Sequence, residues 1–600
     1  MRLRGETLTA PVPRRRTRTG RVLALPALAI VLSSFAAGSP PSSSDVVRKA
    51  GDEYWAFLER EDLNVRVQEG LSVDRLPDIS WKHVEESAAF GRSLESELTR
   101  ASEKDLSHEE QLSLAILREQ ARVLTDAPSR YWLTFPMTPY AFQGLGVNLA
   151  VASHPFRGRP DAEHYLTLAS QYADLVRALE TKLREQEKRG IRLPKEEIPL
   201  VAGAFASLGK EKSQNLLWVN GARLGPLADP DREWFSNRLA ETIDSRVRPA
   251  VSSLVSYISG KYGSQAPSAV GLAQYPGGSD YYRALARRMT SPDARPEEIH
   301  KLGLAAVERL NTELDALRQK VGFAGTLSDF RRFLKTDSRF FAKTPEEVGE
   351  RLLAAQNRIV ARIPDFFGKT PRAAYGVERL EPELEGAMTF GYYQIPTAQE
   401  PKGYYKYNGS RLSDRDLIGA GSLISHELVP GHHFQLNLQL ENTSLPKFRR
   451  LGGYDAFVEG WAEYCSALAD EMGMYADPYD RCGRVAFDLF LTTRLVVDTG
   501  MNLLGWPRAR AIAYMKENTL QSDKEIDTET LRYSCDIPAQ ALAYKMGMWK
   551  FVALREKARK ELGPKFDIRR FHDAVLGSGA MPLAVLESHV DWFIAEEKGR

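Results

Sequence analysis

From about residue 48 to near the carboxy-terminus, apolar side chains return every three or four positions, a spacing that commits most of the chain to helices. Ile299, Leu302, Ala306, Leu310, Leu314, Leu317 and Val321 form one such stripe, and Gly322 ends it as a helix C-cap would. Thr344-Pro345-Glu346-Glu347 opens another helix, with a capping threonine, proline at the first helical position and a glutamate able to reach back. That helix is expected to run to about Arg362. One region departs from the habit. Gly386 to Ser410 holds Met388-Thr389-Phe390-Gly391-Tyr392-Tyr393-Gln394-Ile395 and then Gly403-Tyr404-Tyr405-Lys406-Tyr407, aromatic and β-branched runs about a Pro/Gln/Glu turn. They predict a β-hairpin or small sheet. The expected fold class is mainly α, with that small β element beside the helix that carries the chemistry.

At 600 residues the chain has room for several domains or one large helical domain with lobes. The second is the reading: a single domain over 48–595, made of a helical amino-terminal lobe (48–380) and a catalytic half (381–595). Ahead of it, Arg14, Arg15, Arg16, Arg18 and Arg21 precede an apolar run from Val22 to Leu32 and the small residues Ser33 to Gly38. This is the layout of an export signal over 1–38, followed by a Ser/Pro-rich linker at 39–47. The protein is therefore expected outside the cytoplasm, periplasmic or secreted; the alternative is an anchor formed by the same segment left uncleaved. No cysteine stands near the end of the run, which argues against a lipid anchor. The first 38 residues contribute +6, so the net +2 of the whole leaves −4 for the remainder. Such a body lacks the basic surface of a nucleic-acid binder. No later segment is apolar enough to span a bilayer. The three cysteines (465, 482, 535) read as buried thiols; a 465–482 pair is the alternative.

The chemistry concentrates in His426-Glu427-Leu428-Val429-Pro430-Gly431-His432-His433, which holds three of the ten histidines. A zinc helix ordinarily presents two histidines four apart, about one turn, with a glutamate beside the first. Here the fourth position is Pro430. His432 lies well off the His426 face of a regular helix, and His433 lies on that face but roughly 10 Å along the axis, at ~1.5 Å per residue. Neither shares an ion with His426 unless the helix is distorted. Pro430 removes a backbone donor and Gly431 tolerates unusual dihedrals, so a bulge that absorbs two residues would put His432 in the usual second-ligand place. His433 is the fallback. Glu459 and Glu463, four apart in Phe457-Val458-Glu459-Gly460-Trp461-Ala462-Glu463-Tyr464, share a helical face. Glu459 is the expected third ligand, with Glu463 taking the second ring proton of His426 or His432. Three protein ligands leave an open position, as in catalytic rather than structural zinc sites. Glu427 is then the general base.

At these residues the chain resembles the bacterial domain-of-unknown-function family 885, which is grouped with the glutamate-zincin peptidases. The likeness extends through Arg494 to Gly500, Gly505-Trp506, Gln540 to Gly547, and Phe571-His572-Asp573 with Gly579 and Pro582-Leu583. It covers most of 48–595 and is specific in the carboxy-terminal half. Met501-Asn502 and Ala539 depart from the family pattern, which would carry a histidine and a glycine there. The resemblance implies a largely helical hydrolase that uses one zinc ion and acts on peptides. Thermolysin-like peptidases place a strand beside the zinc helix, its exposed edge pairing with an extended substrate. The 386–410 segment reads as such a strand or as an ordinary aromatic β-ribbon packed on the helices. The resemblance also implies, by analogy with helical zinc peptidases, a tyrosine aimed at the oxyanion of the tetrahedral intermediate: Tyr544, with Tyr533 as the runner-up. Arg494 and Asp498, four apart, are expected to form an ion pair, or Arg494 to hold a substrate carboxylate. His572 and His589 read as structural. Two other functions stand beside the peptidase: a zinc hydrolase of non-peptide amides or esters, and a non-catalytic peptide-binding protein on the same fold. Oligomeric state is not legible.

Overall fold

The Ser42 hydroxyl accepts the Asp45 backbone N–H and starts the first helix, Ser43–Glu61, of the computed structural model. The structure describes residues 41–210, 215–385, 390–397 and 400–600. The expected export signal, and Met388 and Thr389 of the expected strand, lie outside these. Residues 43–47, assigned above to a linker, are helical instead, because Val46, Val47 and Ala50 fall on one face and bury it in a core.

The 299–321 stripe folds as the helix Pro296–Lys320, with Gly322 just beyond it at φ +75°. Its buried face is Ile299, Gly303, Ala306, Leu310, Leu314 and Leu317, but Leu302 is 51% exposed. At ~100° per residue Leu302 stands roughly a quarter-turn from the centre of that face. Gly303 lets this helix lie close against Pro478–Asn502, since a Cβ there would come within 2.9 Å of Leu495 and Val496 side-chain atoms. Asp477 caps Pro478–Asn502, and from Val485 to Asn502 nearly every residue is buried. The Thr344 hydroxyl caps Pro345–Val360 as its sequence implies, while the Glu347 carboxylate reaches the Lys343 N–H.

The fold is mainly α, with one three-stranded sheet among the described residues. Strands β1 (Ala374–Arg379), β2 (Gly391–Gln394) and β3 (Lys402–Tyr407) lie in the order β1-β3-β2. The β2–β3 pair is antiparallel, with Tyr393 opposite Tyr405, and is the hairpin its aromatic runs imply. Strand β1 joins β3 in parallel, and nothing in its own short, charged sequence announces it.

Residues 42–600 pack as one unit. One core joins Val46, Tyr54 and Leu117 to Trp461, Phe551 and Leu586; a second joins Phe142, Tyr172 and Phe235 to Leu495 and Leu542. Both cross residue 380, so the division expected there does not separate two cores. The three cysteines are buried and free. His572 is buried between the Phe366 carbonyl and the Tyr464 hydroxyl, and His589 between His108 and the Ala574 carbonyl. No described helix is long and apolar enough to cross a membrane.

Candidate metal centre

The expected bulge is a complete break. The helix Ala420–Glu427 stops, and a new one, His432–Glu441, starts after four intervening residues. Leu428 and Gly431 adopt non-helical ψ angles of −106° and −127°. Gly431 is required by close approach: a Cβ would stand 1.9 Å from the His426 carbonyl oxygen, an atom of fixed backbone. The connection is clamped on both sides. Gln356 donates to the Val429 carbonyl at 2.8 Å and accepts the Val429 N–H at 3.3 Å. The Trp461 indole N–H donates to the Pro430 carbonyl at 3.0 Å. We therefore expect Gly431→Ala to cost at least about 2–3 kcal/mol, the upper range for overpacking, and to lower Tm measurably in a thermal melt.

Breaking the helix turns His432 back toward His426. Their ring centroids stand 4.8 Å apart with the planes at 88°. The third member comes from Asp455–Leu468, where Gly460 packs directly on Gly547 of the helix Ala543–Leu562. A Cβ on Gly547 would meet the Ala456 carbonyl at 2.1 Å, so the glycine pair sets how closely these helices approach. That contact brings Glu459 and Tyr544 to the two histidines. Glu459 Oε2 lies 3.4 Å from His426 Nε2 and 3.4 Å from His432 Nε2, and all three donor atoms fall within 4.8 Å of one another.

Neither contact closes into a hydrogen bond, and Glu459 Oε2 is buried with no hydrogen-bond partner. Ligand atoms ~2.0–2.2 Å from a tetrahedral zinc stand roughly 3.3–3.5 Å apart, the separation of the carboxylate from each imidazole here. The electrostatics agree. Burial opposes charge on His426, but Glu459 and Glu463 outweigh it and push the imidazolium pKa up to about 10. Burial likewise opposes charge on Glu459, but His426 and His432 hold its carboxyl well below the usual range. The pocket favours positive charge at its centre. Two imidazoles and a carboxylate fit zinc and leave an open position.

Glu427 lines the same cleft, and burial raises its carboxyl above the ordinary value, with His432 and His426 pulling the other way. Glu463 is fully buried. Arg484 holds its Oε1 at 2.8 Å and Lys545 stands at 3.7 Å, while its Oε2 faces His426 Nδ1 at 3.8 Å. The expected contact with His426 is approached and not closed. Tyr544 lies parallel to the His426 ring at 5.9 Å between centroids, with the Arg494 guanidinium 4.8 Å from its own ring centre.

Three expectations fail. His433 points away from the cluster, bonded to the Ala373 carbonyl at 3.1 Å and the Tyr393 hydroxyl at 2.8 Å, and so fastens its helix to the sheet. Tyr533 gives its hydroxyl to Glu529 and is absent from the cleft lining. Arg494 and Asp498 do not pair. Arg494 bonds Glu529 at 2.9 Å, while Asp498 takes the Tyr282 hydroxyl at 2.6 Å and the Ala539 N–H at 3.1 Å. Ala539 holds φ +69° to make that contact, which explains why a glycine suits the position.

The cleft has a volume of about 420 Å³, at the lower end for small-ligand sites. One wall is aromatic, from Tyr392, Tyr393 and Tyr405 on the sheet to Phe487 and Phe490 opposite. Glu529 and Arg532 also line it. Sequence spacing misses both, because residues three apart on a helix look like any surface pair.

Residues 65–590 match the family model described as "Bacterial protein of unknown function (DUF885)". No curated protein matches the chain. A solved structure described as "putative lipoprotein from Colwellia psychrerythraea" is similar at a TM-score of 0.85 and 24% identity, over 92% of this chain and 100% of its own. Another, "putative lipoprotein of unknown function from Shewanella oneidensis", has a TM-score of 0.68 at 16% identity, over 92% of this chain and 99% of its own. At such identities the likeness is one of fold.

Proposed function

The chain belongs to this bacterial family of unknown function, and from the site it carries we propose that it is an exported, zinc-dependent metallopeptidase of the glutamate-zincin kind. One observation supports the reading above all: a buried carboxylate oxygen without a hydrogen-bond partner, equidistant from two imidazole nitrogens, with a second glutamate beside them. His426, His432 and Glu459 would hold the ion. Zinc so held would supply Lewis acidity toward a carbonyl and toward water. Export rests on the amino-terminal leader and on the lipoprotein description of the two similar structures.

The protein's own groups divide the remaining work. Glu427, its proton affinity raised by burial, takes the proton of the attacking water and returns it to the leaving amine. Tyr544 stands beside the His426 ring with its hydroxyl kept protonated by burial, so that it can donate to the developing oxyanion. Arg484 and Lys545 keep Glu463 ionised behind His426, where its carboxylate, 3.8 Å from Nδ1, favours the orientation that turns Nε2 toward Glu459. The aromatic walls exclude water from the reacting groups.

The test is a digest of a mixed peptide library with the purified protein. Cleavage that a chelator abolishes and added zinc restores is expected. Hydrolysis of esters or simple amides without peptide cleavage would favour the alternative zinc hydrolase, and binding without turnover the peptide-binding protein.

A further inference from the structure

Beside Tyr544 the cleft lining holds two arginines that share one carboxylate. Arg494 pairs with Glu529 at 2.9 Å, and Arg532 stands 3.5 Å from the other Glu529 oxygen. Glu529 is the one carboxylate in ion-pair contact with either among the described residues. Two neighbouring acids are engaged elsewhere, Asp498 by Tyr282 and Ala539 and Asp536 by the Thr138 hydroxyl and the Tyr140 and Ala141 N–H groups, while Arg532 also donates to the Gln540 side-chain carbonyl at 2.6 Å. Phe490 and Tyr544 cover Arg494, and Tyr140 covers Arg532. Two guanidinium groups about one shared carboxylate present a fork of donors to an anion, in a cleft whose lining also carries Asp414, Asp416, Glu427, Glu459 and Glu525.

Resting on the peptidase reading, we propose that Arg494 and Arg532 receive the free α-carboxylate of the substrate, so that the protein trims peptides from the carboxy-terminus. Reach sets how much is removed. The Tyr544 ring centre is 5.9 Å from that of His426 and 4.8 Å from the Arg494 guanidinium. An extended peptide advances ~3.3–3.6 Å per residue, so a carboxylate held by the pair brings the first or second peptide bond upstream to the metal-binding residues. One or two residues would leave at each cleavage. The small volume of the cleft and its aromatic walls suit a short segment with an apolar side chain.

Binding separates this idea from the peptidase reading. In the zinc-loaded Glu427→Gln variant, N-acetyl-alanyl-phenylalanine should bind at least about tenfold more tightly than its carboxamide, the difference a charge-assisted contact commands. Adding Arg532→Gln should reduce that preference to about twofold or less, and Arg532→Lys should restore part of it. Equal binding of acid and amide before any arginine is changed would overturn the subsite, whatever the fold of the arginine variants. So would a preference that survives Arg532→Gln intact, which would place the carboxylate on the metal instead. If the acid is preferred as described but the wild type cleaves no peptide, the subsite stands and the peptidase reading falls.

Discussion

Glu427→Gln should lower peptide hydrolysis by about 10²- to 10⁴-fold, the range associated with a positioned general base, while leaving zinc content unchanged. The substitution keeps the volume and shape of the side chain and removes only its ability to carry a proton. Glu427 is next to His426 in sequence but is not a member of the three-residue donor set, so the metal site should survive it. Burial raises its proton affinity above that of an ordinary surface acid, the direction that suits a group which must accept a proton and return it. Kinetics on a peptide found in the library digest, paired with elemental analysis of the same sample, check both halves. Undiminished turnover in this variant would remove Glu427 from the chemistry.

The second large effect contrasts two adjacent histidines. His432→Ala should weaken zinc binding by well over the ~100-fold that an orienting partner alone commands, because it removes one of only three donors. His433→Ala should leave zinc bound, but it would cost about 1–3 kcal/mol of stability by stripping buried partners from the Ala373 carbonyl and the Tyr393 hydroxyl. Zinc should therefore raise the Tm of His433→Ala, which starts low, and leave that of His432→Ala where it is. A competition titration with a chromophoric chelator, run beside thermal melts, reads both. The opposite pattern would mean that the helix break delivers the other imidazole.

How much of this was legible depends on the distance over which each feature is determined. The donor types were readable from a few adjacent residues, since Pro430 and Gly431 forbid a regular helix and His432 is what a distortion of the right size delivers. The form of the distortion was not. A full break needs Gln356 and Trp461 to clamp the connecting backbone, and they lie 73 and 31 residues away in sequence. The helical body followed from periodicity, yet Leu302 shows that a three-or-four spacing admits residues at the margin of the face. Arg494 and Asp498 failed as a pair because each has a better partner on another helix, from Glu529 and from Tyr282, 216 residues from Asp498. Strand β1 is invisible for the same reason: its parallel alignment with β3 is set by the packing around it and not by its own composition.

The most direct test of the account is zinc titration of the metal-stripped full chain, followed by isothermal calorimetry. One zinc per chain is predicted, with that binding lost in Glu459→Ala. A wild-type protein that takes up no zinc, or a Glu459→Ala protein that takes it up unchanged, would contradict the account.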